Sequence, residues 1–217
     1  METRAAAAAV ALAVLTTTAG CGVILGREAL AFAATPATVS DAALDDAGYE
    51  RTDVRAQQVN RTFEAAGQSR EVQVTNQLAT YEKGVDLSAV GLGRQRAAVF
   101  VAFSTPQVEI AGQTFNPIAE MSNRELLAQF ESSYSGLSVG ERVDSRQVTM
   151  LGESTTIERY EGEATLGGSQ VPVYVEVVTR VAHDGDFVVA LAVYPQALSG
   201  ERENVVRLVE GVDQGGA

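Results

Sequence analysis

The sequence has very few of the side chains that most often build functional sites. It contains one cysteine, one histidine and no tryptophan, and a single lysine among its 16 basic residues. One cysteine excludes an internal disulfide, and one histidine excludes a metal centre built from several imidazoles. The lack of tryptophan also argues against an aromatic platform that stacks on nucleic-acid bases.

The charge of the chain is strongly negative. The 28 acidic residues outnumber the 16 basic ones and give a net charge of −12. A surface of this sign repels phosphate backbones, so we predict no nucleic-acid partner. An acidic, lysine-poor surface is typical of proteins in concentrated salt, where screening weakens self-repulsion. A GC-rich genome, in which lysine codons are scarce, would leave the same composition.

The first 20 residues have the pattern of a secretory signal peptide. Arg4 precedes an apolar run over residues 5–15, and small residues follow up to Cys21. The segment TAGC at residues 18–21 resembles a lipobox, the motif whose cysteine receives a lipid and becomes the new N-terminus. The resemblance implies that residues 1–20 are removed, that Cys21 carries the lipid, and that residues 21–27 form a tether.

Three other interpretations of this segment stay open. Residues 5–26 carry no charge. At about 1.5 Å per residue they would form a helix of about 33 Å, long enough to span a bilayer as an uncleaved anchor. A plain signal peptide could instead be cleaved after Ala33, or the run could be a helix of a buried core. Every interpretation except the last places the remaining chain outside the cytoplasm.

Three helices are predicted from the residues at their ends. Ser40 can cap a helix that stops at Gly48. Ser122 and Glu125 form a capping box, and Ser199 can cap the last helix. The second helix is expected to bury one face, formed by Leu126, Leu127, Phe130 and Tyr134.

The strands dominate the rest of the chain. Residues 97–105 and 186–195 are apolar on both faces, which is typical of strands in the middle of a sheet. Strands that follow one another with few helices between them predict an α+β fold. We expect an antiparallel-rich sheet flanked by helices, in a single domain over residues 28–213. The segment 29–39 is predicted to hold a strand that ends near Pro36. The other predicted strands are 49–65, 69–81, 139–142, 146–154, 156–165 and 170–182, with a loop over 85–96.

Three segments resemble a family of haloarchaeal surface lipoproteins with no assigned function. They are FAATPATVSDAALDDAGYERTDV from Phe32, TFEAAGQSREVQVTNQLATYEK from Thr62 and VAHDGDFVVALAVYP from Val181. This resemblance implies a lipid on Cys21. The C-terminal order of helix, hairpins and final helix is similar to that of PsbP-type domains, which implies an α/β/α sandwich around an antiparallel sheet.

The sequence contains few candidate catalytic residues. His183 is the only available imidazole, and it stands in a predicted Asp-Gly turn without a G-x-S-x-G segment elsewhere. The segment GLGRQ at 91–95 lacks the third glycine of a nucleotide-binding loop. We therefore predict no catalytic, cofactor or metal site. The triplet that begins at Asn60 is an N-glycosylation sequon.

The expected function is that of a membrane-anchored extracytoplasmic lipoprotein. It would be held by membrane lipid through Cys21 and act as a non-enzymatic module that binds a protein or a small molecule. The alternative is a carboxylate-based surface hydrolase or ligand-processing enzyme, and a third possibility is a structural envelope protein. A pocket lined by convergent carboxylates such as Asp144, Glu161 or Glu176 would favour an enzyme. A single apolar groove would favour binding.

Overall fold

The computed structural model describes residues 30–65, 68–86, 88, 93–110, 113–114 and 116–215. The predicted signal peptide, Cys21 and the tether lie outside these residues. None of the helices in the described part is both long and apolar enough to cross a membrane. The fold is α+β, as predicted, and the described residues form one large sheet, two small ones and three α-helices.

The large sheet is antiparallel except for its first strand. Its order is β3–β4–β5–β11–β10–β9–β8. Strand β1 pairs in parallel with residues 72–75 of β4, on the same edge of β4 that pairs with β5 further along. The small sheets pair β2 with β12 and β6 with β7. The strands are β1 Leu30–Ala33, β2 Ala37–Val39, β3 Glu50–Ala65, β4 Gln68–Asp86, β5 Arg94–Pro106, β6 Glu109–Ile110, β7 Gln113–Thr114, β8 Leu137–Met150, β9 Glu153–Leu166, β10 Ser169–His183, β11 Asp186–Pro195 and β12 Val212–Gln214.

Two of the three helices begin where their sequence signals predict. The helices are α1 Asp41–Ala47, α2 Asn123–Ser133 and α3 Glu201–Glu210. Ser40 caps α1, and the reciprocal capping box of Ser122 and Glu125 is present at the start of α2.

The prediction that Ser199 caps α3 is wrong. The N-cap is Gly200, with φ of 78°, and no described side chain bonds to the first turn. The turn after β11 needs a left-handed residue there, which glycine supplies without strain.

The helices lie on both faces of the large sheet. On β11, Val188, Ala190 and Tyr194 face the core formed with α1 and α3, while Val189 and Leu191 face the core formed with α2. This alternation confirms that β11 is central and covered on both sides. The central position of β5, between β4 and β11, is confirmed as well.

Several predicted strand boundaries are wrong. Residues 137–150 form one strand instead of two, because β8 absorbs irregular pairing between 139 and 144 as bulges on an edge of the sheet. The reversal comes at Leu151 and Gly152, which have φ of 53° and 79°. In the segment 29–39 the strand β1 ends at Ala33, close to the end predicted near Pro36, and the short strand β2 follows Pro36, which has no N–H for a ladder. The predicted loop over 85–96 is shorter, because β4 extends to Asp86 and β5 starts at Arg94.

Candidate functional site

A groove of about 540 Å³ lies between α2 and the large sheet. Helix α2 packs through Leu126 and Leu127 onto residues of β9, β10 and β11 such as Val175. The hairpin of β3 and β4 pairs as far as Ala65 and Gln68, well past the stretch of β4 that pairs with β5. The groove forms where the sheet continues past the helix, and its volume falls within the range of about 300–1,000 Å³ typical of small-molecule sites.

The floor of the groove is apolar. Alternation along the strands turns Val74 and Leu78 of β4, and Val101 and Phe103 of β5, toward the helix side. Phe130 of α2 forms part of the opposite wall. A molecule with apolar surface would gain free energy by leaving water for this groove.

One edge of the groove is polar. Arg55 and Gln57 of β3 line it together with Asn76 of β4, and Asn76 is the direct cross-strand partner of Gln57. The Asn76 Oδ1 atom is buried and has no hydrogen-bond partner among the described residues. Arg55 is the only charged residue in the described lining, which contains no Asp or Glu. Its guanidinium makes one exposed contact, 3.3 Å from the Asp53 carboxylate.

The rim at the end of α2 differs from the sequence prediction. Tyr134 was expected to continue the buried face of the helix, yet it is 39% exposed and lies at the groove. It follows the last helical residue and has an extended backbone, with φ of −120°. Its ring packs on Phe130, with the ring centroids 4.3 Å apart. The pair therefore forms an aromatic lip on the groove.

A buried polar cluster lies on the opposite face of the sheet. The Arg159 Nε atom is 2.7 Å from Glu176 Oε1, and the same guanidinium donates to the Tyr194 hydroxyl at 2.7 Å. Tyr194 in turn donates to Glu176 at 3.1 Å. Burial, followed by the charge of Glu176, raises the pKa of Tyr194 far above its ordinary value. The phenol therefore stays protonated and acts as a hydrogen-bond donor.

A second ion pair continues this cluster under α3. Lys83 Nζ is 2.8 Å from Glu201 Oε2, and the Asn204 amide donates to the same oxygen at 3.2 Å. The ammonium lies 5.5 Å from the centre of the Tyr49 ring. Burial and the nearby Glu201 carboxylate raise the pKa of Tyr49 well above its usual range. Both buried carboxylates of the cluster are thus neutralised by a cation.

The three carboxylates named from the sequence do not line the groove. Glu176 is buried against Arg159, and Glu161 is exposed on β9. Asp144 forms an ion pair with Arg202, and the Ser145 backbone N–H, followed by Arg202, lowers the pKa of its carboxyl. Within the described residues, no three His, Cys, Asp or Glu side chains lie close enough together to hold a metal ion.

The other sequence candidates are separated from the groove. His183 ends β10, and its Nε2 atom is 3.6 Å from the Asp184 carboxylate in the predicted Asp-Gly turn. Asn60 is exposed on β3, opposite Gln73. Its glycosylation, like the lipidation of Cys21, stays a prediction.

The residues of the polar edge were missed at the sequence level. The signal that could have found them is Asn76, which interrupts an otherwise apolar face formed by Val72, Val74 and Leu78. A lone amide in such a series marks a place where an apolar wall carries one specific polar contact.

Comparison with known proteins adds a family and no activity. No curated protein matches the chain. A family described as a domain of unknown function (DUF6517) matches residues 36–213, a span that contains both the groove and the buried polar cluster. The chain belongs to this DUF6517 family.

Proposed function

We propose that this protein is a membrane-anchored extracytoplasmic lipoprotein that acts as a non-enzymatic binding module, and that the groove is its binding site. The observation that carries the proposal is a groove of about 540 Å³ whose described lining is mostly apolar, with a minority of polar side chains. Such a combination of apolar walls and few polar groups is the usual composition of a small-molecule site.

The positions of the charged groups support binding over catalysis. Acid–base chemistry needs carboxylates that face a substrate in a cleft. Of the three buried carboxylates described, Glu176 and Glu201 are on the face of the sheet opposite the groove, and each is bound by a cation. The third, Asp186, lies outside the groove lining and accepts from the Thr35 N–H and the Gln214 amide. The described lining of the groove has no carboxylate at all. Among the described residues, the carboxylate-based enzymatic alternative therefore has no acid that faces the groove.

Within its family, we place the chain among haloarchaeal surface lipoproteins. Its net charge of −12 and single lysine support a protein that works in concentrated salt. The lipobox-like segment before Cys21 supports a lipid anchor on the outer face of the membrane. The helices on both faces of the antiparallel sheet support the likeness to PsbP-type domains, which concerns shape and carries no function.

The groove can be tested with a tryptophan reporter, because the chain has no tryptophan of its own. Val59 lines the groove, whereas Val54 of the same strand is 43% exposed and lies outside the lining. In the Val59→Trp variant we expect methyl decanoate to shift the emission to shorter wavelength, with a dissociation constant on the order of 0.1 mM. The measurement is a fluorescence titration in high salt.

The Val54→Trp variant is the matched control and should show no shift. An equal response of both reporters would indicate non-specific adsorption. If neither reporter responds to methyl decanoate or to a series of longer apolar esters, the groove is not a ligand site and the proposed function is wrong.

The anchor requires a separate test on the full chain. We expect protein extracted from membranes to begin at Cys21 and to carry the added mass of lipid, because the lipid would be attached before cleavage. An intact-mass measurement checks this. The Cys21→Ser variant should lose the lipid mass and leave the membrane. A variant that stays uncleaved and membrane-bound would assign the anchor to a helix formed by residues 5–26.

A further inference from the structure

The charges of the residues that line the groove indicate which polar group a bound ligand would carry. The chain has a net charge of −12, yet the described lining contains no acidic residue and one arginine. Random placement of charge on so acidic a surface would put carboxylates around any opening. The reversed sign at Arg55 therefore favours a ligand with a negative charge.

The cross-strand register groups the polar residues into one patch. Arg55 is opposite Leu78, and Gln57 is opposite Asn76, so Arg55 and Asn76 are diagonal neighbours on the same face. Diagonal neighbours in a sheet are separated by about 7–8 Å, close enough for two long side chains to contact one headgroup. We call Arg55, Gln57 and Asn76 the polar patch. Apolar lining residues lie on both sides of it along the strands, with Val59 and Val74 on one side and Leu78 and Phe103 on the other.

Two members of the polar patch, Arg55 and Asn76, have bonding capacity left. Arg55 has five N–H donors, and its only described ion-pair partner, Asp53, takes one at a contact where both side chains are substantially exposed. The Asn76 Oδ1 atom is a buried acceptor without a donor among the described residues. A buried acceptor left without a donor is unfavourable, and a ligand hydroxyl would satisfy it.

We infer that the groove binds an amphiphile with one apolar chain and a head that carries an anionic group and a hydroxyl. The anionic oxygen would accept from Arg55, the hydroxyl would donate to Asn76 Oδ1, and the chain would lie along the apolar floor under α2. This inference rests on the proposed function, because it assigns the ligand class of the same site.

The test compares three probes of one chain length: 3-hydroxydecanoate, decanoate and methyl 3-hydroxydecanoate. Calorimetric titration of the full chain is expected to give the highest affinity for 3-hydroxydecanoate. Removal of either head feature should weaken binding by about fivefold, the size expected for one partly exposed polar contact. The preference for the anion should fall as salt is raised, because screening acts on an exposed charge.

Two variants separate the contacts. Arg55→Gln should abolish the preference for the acid over its methyl ester, and Asn76→Leu should abolish the preference for the hydroxylated acid over decanoate. The Arg96→Gln variant is the control, since Arg96 is an exposed arginine paired with Glu82 and lies outside the groove lining. It should leave all three affinities unchanged.

Each outcome decides the headgroup assignment, and one of them also decides the proposed function. Equal affinity for the three probes, together with a response of the Val59→Trp reporter, would overturn the headgroup assignment and leave the groove as a general apolar site. Failure of every probe to bind would overturn both. A dimer that dissociates only when Val59 or Tyr134 is replaced by Asp would assign the groove to a second copy of the chain and overturn the amphiphile.

Discussion

Replacement of Arg159 by methionine is expected to lower the free energy of unfolding by about 3–5 kcal/mol, the range for removal of one partner from a buried ion pair. The Arg159 side chain is 14% exposed and that of Glu176 is 2% exposed. Methionine keeps much of the apolar stem but leaves the carboxylate without its cation. The Glu176 Oε2 atom already has no described partner, so little else can compensate the charge.

Two further variants identify the cause of this loss. In the Arg159→Met/Glu176→Gln double variant the buried charge is removed, and we expect most of the stability to return. Arg96→Gln removes an exposed pair and should change stability by less than about 1 kcal/mol. Urea denaturation of the four proteins measures these differences. If the free energy of unfolding of Arg159→Met lies within about 1 kcal/mol of that of the natural protein, the buried ion pair does not stabilise this core.

The pairing behind this prediction could have been read from the sequence. A two-residue turn at Gly167 and Gly168 joins β9 to β10, and Leu166 pairs with Ser169. Counting the same number of residues back from Leu166 and forward from Ser169 brings Arg159 opposite Glu176, which is the register of the structure. A tight turn fixes hairpin register, so this contact follows from local information.

Other features of the fold were equally local. The capping box of Ser122 and Glu125 needs residues three positions apart, and the apolar character of residues 186–195 alone marks a covered strand. The bounds of β8 were not local, because pairing with β9 carries the strand through a polar stretch that by itself resembles a turn. Propensity is a weak guide where a neighbouring strand supplies the hydrogen bonds.

The groove could not be derived from the sequence. The alternation of Val72 and Val74 with Gln73 and Thr75 predicts that one face of the strand is exposed to solvent. It does not indicate that the valine face lies against α2. That arrangement depends on how far the β3–β4 hairpin extends past a helix that begins at Asn123, well after the hairpin ends at Asp86. The polar patch therefore becomes visible only when register and packing are known together.

The second large effect on stability is expected from replacing Lys83, the single lysine of the chain. Replacement of Lys83 by methionine is expected to cost about 2–4 kcal/mol, because Glu201, 3% exposed, would lose its cation. The estimate is lower than for Arg159 because Lys83 is 22% exposed and water can partly replace it. As for the first pair, the Lys83→Met/Glu201→Gln double variant should recover most of the loss.

The more informative substitution is Lys83→Arg, since every other basic residue of the chain is an arginine. The lysine stem runs beside Gly48 with ordinary clearance, since a Cβ atom there would lie 3.6 Å from Lys83 Cε. The ammonium also lies over the Tyr49 ring. The compact ammonium fits between the Tyr49 ring and the Glu201 carboxylate, whereas a planar guanidinium needs more room. We therefore expect Lys83→Arg to lower the free energy of unfolding by about 1–3 kcal/mol despite its conserved charge. Urea denaturation that gave Lys83→Arg the full stability of the natural protein would show that composition, and not space, explains the lone lysine.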